Sequence, residues 1–142
     1  MLESAIESVP DDKWHQGIGK WYFSFNAYHV IDTAQFYMLS DPDQMKWGER
    51  AGIDWESVED WEKEVLPKLT KDFVQSYLME TKEKMISLFN SMTDQDYLKR
   101  DGFHWFDSVL EKLVYLLRHS MLHIGELSRS LREWSCKHIK WQ

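Results

Sequence analysis

Three stretches of the chain repeat their apolar side chains every three or four positions, the period of an amphipathic helix. The first runs from Trp21 to about Leu39, with Phe25, Tyr28, Phe36 and Leu39 on one side, and stops at Ser40-Asp41-Pro42. Ala27, Val30, Ile31, Ala34 and Met38 make its opposite side apolar too. A helix apolar all round is covered on both sides, so this one is expected at the centre of the fold or at a subunit interface. The second stretch, roughly 71–91, opens on Thr70 as N-cap and turns Phe73, Val74, Tyr77, Leu78, Met85, Leu88 and Phe89 inward. The third runs from about Trp105 to Ser135. Its stripe is Phe106, Val109, Leu110, Leu113, Leu116, Leu117, Ile124, Leu127, Leu131 and Trp134.

The intervening segments read as connections. Residues 1–8 form a short helix that Pro10-Asp11-Asp12 ends, and Trp14 to Gly19 is a loop. Residues 41–57 are a loop with Gly48 and Gly52. Ser57 to Leu66 holds a short helix with Ser57 and Asp60 as a weak capping pattern, and Thr93 to Gly102 is a further loop. Composition agrees with helix: 8 Trp, 7 Phe, 6 Tyr and 7 Met supply a core, while 6 Gly and 3 Pro are too few for the many turns of a β protein. The fold class is therefore all-α, a helical bundle. The 142 residues make one domain, with no repeat or interdomain linker.

Charge narrows the partners. Twenty-four acidic residues against 17 basic ones leave a net charge of −7, which repels phosphate backbones and argues against nucleic acid. The densest basic stretch, Arg129 to Lys140, is broken by Glu133 and by apolar residues, and reads as a solvated helix end. Cys136 is the only cysteine, so neither an intrachain disulfide nor a thiolate metal cluster can form. The opening MLESAIESVPDD has no signal-peptide pattern, and the longest apolar run, 113–117, falls far short of the ~20 residues that span a bilayer. A cytoplasmic protein with no membrane partner is expected.

The chemistry concentrates in the stretch RHSMLHIGE at 118–126. His119 and His123, four residues apart on a helix, stand one above the other on the flank of the apolar stripe, within reach of one metal ion. His29 is the best candidate for a third ligand. It sits between Phe25 and Phe36 on the inner side of the first long helix, where an unpaired polar group costs about 1–3 kcal/mol that ligation would remove. Three His ligands leave a position open for water or substrate. Asp32 follows His29 by three residues, and Glu126 follows His123 by three. Either suits a catalytic role as base on metal-bound water, or as the group that orients a ligand imidazole. Each also has an ordinary alternative: Asp32 serving a neighbouring tyrosine or tryptophan, Glu126 pairing with Arg129 or Arg118. His15, His104 and His138 have no partner at ligand spacing.

Other metal and nucleotide chemistries lack their patterns. No histidine has Glu three residues before it, as a di-iron bundle requires, and position 120 is Ser where a zinc protease has Glu. Gly17 and Gly19 stand alone rather than in a phosphate-binding loop.

Together, the stretch GKWYFSFNAYH at 19–29, with Trp21 eight residues before His29, and RHSMLHIGEL at 118–127 resemble the two metal-ligand segments of the DinB/YfiT-like superfamily. The stretch TKDFVQSYLMETK at 70–82 resembles the helix between them, so the likeness spans about residues 12–133. The resemblance implies an up-and-down four-helix bundle with a three-His site for nickel, zinc or a similar divalent ion. It also implies a frequent homodimer and, in some members, S-transfer or isomerase chemistry with a low-molecular-weight thiol. Two departures stand out. Only about ten residues precede Asp11 where the family has a full first helix, so the bundle is expected either reduced to three long helices or completed by a partner subunit. Glu126 stands where Gln is commoner, which makes the site more anionic.

Three functions follow as expectations. The first is a metal-dependent enzyme acting on a small-molecule substrate through activated water or thiol, of hydrolase or thiol-transferase type. The second is a non-catalytic metal-binding or protein-interaction bundle, whose binding surface would use Trp47, Trp55 and Trp61 in their polar segments. The third, thiol chemistry at Cys136, lacks any neighbouring relay.

Overall fold

The computed structural model describes residues 1–18, 21–53 and 66–136. The order is helix α1 (Leu2–Ser8), a two-residue strand β1 (Gly17–Ile18), strand β2 (Trp21–Tyr22), helix α2 (Phe23–Met38), helix α3 (Lys71–Ser91), helix α4 (Asp94–Leu98) and helix α5 (Val109–Glu133). Single 3₁₀ turns at Asp11–Lys13, Pro42–Gln44 and Glu49–Ala51 shape the connections. The all-α bundle expected from the periodicity is therefore present, with one small hairpin added.

α2 is the central helix. It packs against both α3 and α5, and α1 lies across those same two helices. Twelve of its 16 residues are buried, from Phe23 through Tyr37. That is how a helix apolar on all sides is accommodated without a second subunit. Phe25, Tyr28, Val30 and Ile31 join Leu2, Ile6, Val74, Tyr77, Leu127 and Leu131 in one cluster. Ala34, Phe36 and Tyr37 join Phe103, Phe106 and Leu116 in another. Lys112 crosses between the ends of α2 and α5: its buried ammonium donates to the Leu39 carbonyl at 2.7 Å, pairs with Asp101, and lies 4.3 Å from the centre of the Phe103 ring.

Local chemistry explains the boundaries, including those that differ from the sequence pattern. α2 begins at Phe23 rather than Trp21, because Trp21–Tyr22 pairs as a strand with Gly17–Ile18, Gly17 opposite Tyr22 and Ile18 opposite Trp21. A side chain at Gly17 would collide with the Trp21 carbonyl, so the hairpin needs glycine there. The first amides of α2 are satisfied by loop carbonyls in place of a side-chain cap: Phe23 N–H donates to Gln16 O at 2.8 Å and Ser24 N–H to Trp14 O at 3.0 Å. Thr70 caps α3 as expected, its Oγ1 accepting from Phe73 N–H at 3.2 Å. The segment expected as a loop at 93–102 contains α4, started by a capping box between Thr93 and Asp96. α5 starts at Val109, not Trp105, since Ser108 Oγ accepts from Glu111 N–H and so fixes the N-cap. Phe106 is buried, but from the preceding loop.

Several residues of the expected inner stripes lie outside. Leu110 and Leu117 on α5, and Phe89 on α3, are exposed. The short helix expected at Ser57–Leu66 falls almost wholly outside the described residues, as do Trp55 and Trp61; Trp47 sits at the surface with its ring 4.7 Å from that of Phe36. Among the described residues, no helix is long and apolar enough to cross a membrane.

Candidate metal centre

The site lies where α2 meets α5. The helical pitch sets His119 and His123 on one flank of α5, ring centres 4.6 Å apart, and α2 brings His29 to 5.3 Å from the first and 4.9 Å from the second. One nitrogen of each ring lies within 4.8 Å of the others. His29 Nε2 and His119 Nε2 are 3.2 Å apart, about the separation of two nitrogens on one tetrahedral zinc at ~2.0–2.1 Å. Burial, followed by the neighbouring His123 and His119, pushes His29 down to about 4. His119 is lowered chiefly by burial and then by His123, with Glu126 acting in the opposite sense. Near neutral pH both rings are uncharged, so their lone pairs are free to bind a cation. Side chain by side chain, the donor set fits a divalent ion.

Glu126 supports this cluster from the next turn of α5. Its Oε2 lies 2.7 Å from His123 Nδ1, so the ring donates that N–H to the carboxylate and keeps the Nε2 lone pair for the site. The same oxygen accepts from Asn26 Nδ2 at 3.4 Å, which ties the carboxylate back to α2. Trp21, carried by the hairpin, meets His29 edge-on at 4.9 Å and walls the cluster on the side of β2.

Asp32 goes elsewhere. Its carboxylate is buried and accepts from Tyr77 Oη at 2.8 Å, Tyr28 Oη at 3.3 Å and Gly48 N–H at 3.2 Å. Burial raises its pKa against the pull of those three donors. Its partners belong to α2, α3 and the 48 turn, and none is a histidine of the cluster. Of the two sequence readings of Asp32, the geometry matches the one in which it serves neighbouring tyrosines. One turn of α2 is enough to send His29 toward α5 and Asp32 toward α3.

Beside the histidines opens a cavity of about 350 Å³. Trp21, Phe23 and Leu127 give it apolar walls; Asn26, Glu126 and Arg129 line it with polar groups. The Asn26 Oδ1 acceptor is buried with no donor among the described residues. Arg129 donates through Nε to Glu133 Oε1 at 2.7 Å. Neither Asn26 nor Arg129 stood out in the sequence. Asn26 precedes His29 by three residues, one turn, and that spacing is the signal that was there to be read. His15 contacts Ser24 Oγ, and His104 contacts the Trp105 ring; neither joins the site. The Cys136 thiol makes a weak contact with the Trp134 carbonyl, and the residue packs against the main core cluster.

The model of the DinB superfamily matches residues 1–127 of the chain. This chain belongs to the DinB superfamily. The match includes His29, His119, His123 and Glu126, and it starts at residue 1, so α1 lies within the family domain although it is only 7 residues long. No curated protein and no solved structure matches the chain significantly.

Proposed function

We propose that this member of the DinB superfamily is a metal-dependent enzyme acting on a small molecule, with nickel or zinc held by His29, His119 and His123. The supporting observation is the convergence of three imidazoles from two helices beside a cavity of substrate size. A divalent ion there would lower the pKa of a water or thiol at its open position, which suits a reaction of hydrolase or thiol S-transferase type, the thiol supplied by a low-molecular-weight cosubstrate.

The chain's own groups divide the remaining work. Glu126 uses Oε2 to hold His123 in the ligating orientation. Its half-exposed carboxylate, lining the cavity, is the base within reach of an incoming nucleophile. Trp21, Phe23 and Leu127 shield that position from bulk water. The outer nitrogens of Arg129 favour an anionic group in the cavity.

The test is metal content by elemental mass spectrometry on untagged protein, beside the double variant His119→Ala/His123→Ala. About one ion per chain in the parent and none in the variant are expected for a three-His site. No ion in either, after reloading with zinc and with nickel, overturns the proposal. A positive result leads to a turnover screen with low-molecular-weight thiols and hydrolysable substrates, and Glu126→Gln is expected to lose turnover while still binding the ion.

A further inference from the structure

Two arginines stand at opposite ends of the histidine cluster. Arg118 and Arg129 are about 16 Å apart along α5, and His119 and His123 lie between them. At 3.6 residues per turn both start from the solvent side of the histidine stripe, and both arms turn back toward it. Arg129 lines the cavity together with His123 and Glu126. Arg118 lies 4.8 Å over the Tyr115 ring, and that ring is stacked at 19° beside His119, one turn further on. One guanidinium therefore belongs to the cavity end of the cluster and the other to the far end.

The fold does not use up either charge. Arg118 meets the face of a tyrosine and has no acidic partner among the described residues. Arg129 gives only Nε to Glu133, at 2.7 Å, which leaves its two Nη groups. Both residues are exposed. Lys112, on the same helix, shows the contrast: it is buried, paired with Asp101, and donates to the Leu39 carbonyl. An arginine fork with free N–H groups matches the two oxygens of a carboxylate.

Charge sets what the site admits. The chain carries −7 overall, so most of its surface repels anions. Around the histidines the balance reverses, because a divalent ion and two guanidiniums outweigh Glu126 and Glu133. We propose that Arg118 and Arg129 select the reactants of this centre by charge: molecules with carboxylate groups on both sides of the reacting atom, one drawn to Arg129 in the cavity and the other to Arg118 beyond His119. This rests on the metal-centre reading above and adds the class of substrate to it.

Cobalt(II) loaded into the full chain makes the test visible, since a thiolate on cobalt gives a charge-transfer band. The loaded protein is titrated with mercaptosuccinate, 3-mercaptopropionate and 2-mercaptoethanol, which carry two, one and no carboxylates. Each arginine is scored by the affinity ratio of mercaptosuccinate to mercaptoethanol, variant against parent. That comparison cancels the thiols' own acidities and their attraction to the ion. Arg118→Ala and Arg129→Ala are each expected to lower the ratio about threefold to fivefold, and the double variant about tenfold or more. Mercaptoethanol affinity and thermal unfolding stay at the parent values. Lys82→Ala, which removes the same charge from a residue paired with Glu3, leaves the ratio unchanged. Cobalt and mercaptoethanol bound normally, with a ratio that either arginine variant fails to move, overturns this inference and leaves the metal centre standing. Uptake of none of the three thiols overturns it as well. A chain that binds no cobalt overturns it together with the metal-centre reading.

Discussion

α2 buries two polar groups one turn apart, and they meet opposite fates. Asp32 faces three donors, Tyr28, Tyr77 and the Gly48 amide, and its charge is answered entirely from within the fold. His29 faces two other imidazoles, its Nε2 3.2 Å from His119 Nε2, so three ring nitrogens from two helices converge on one place. A closed polar centre holds a fold together. Three imidazoles this close are consistent with a divalent metal site. The difference separates structure from function on a single helix.

The comparison breaks most sharply at the histidines, where the double His119→Ala/His123→Ala variant is expected to lose metal altogether while Asp32→Ala keeps about one ion per folded chain. Next in size comes stability. Asp32→Ala strands two tyrosine hydroxyls and a backbone amide, and is expected to cost about 3 kcal/mol in urea unfolding of the metal-free protein. The same variant measured against His29→Gln, with a small effect when metal-free, would invert the argument if the ranking reversed.

Acid separates the two groups by sign. His29 has a folded-state pKa of about 4, below its ordinary value of 6.5, so the folded state binds its proton less readily than the unfolded chain. Its contribution is fully present above 6.5 and is lost as pH falls toward 4, by about 2–3 kcal/mol. Asp32 works in the opposite sense: its raised pKa gives stability at low pH that is lost as pH rises through the folded value. Chelated parent protein should therefore lose more melting temperature between pH 6.5 and 4 than His29→Gln does. Equal slopes would place His29 in water. The smallest effect on metal binding is expected at Glu126, where Glu126→Gln lowers metal affinity about 10–100-fold through the loosened His123 ring, with metal-free melting unchanged.

Much of the fold was legible beforehand. The helical period marked α2, α3 and α5, Thr70 marked an N-cap, and the apolar surround of α2 marked it as central. The histidine cluster was legible for a similar reason: four residues on a helix return a side chain to the same flank, whatever the helix packs against. The hairpin was not, because two-residue strands carry no alternation to detect, and Gly17 signals a turn without saying which. The start of α5 was misplaced because Trp105 and Phe106 are as apolar as a helix stripe, and their burial comes from a loop. Leu110 and Leu117 look like core in sequence; only the short α1 leaves their side of α5 bare.

Sequence by itself determined which residues share a face, because backbone geometry imposes the 3.6-residue period on any helix-forming stretch. It therefore determined the helical class, the pairing of His119 with His123, and the family. Which neighbour each face meets was decided in three dimensions. His29 and Asp32 differ by one turn of one helix, yet one looks to α5 and the other to α3, and only the packing of three helices converts that turn into a three-histidine cluster on one side and a tyrosine-bonded carboxylate on the other.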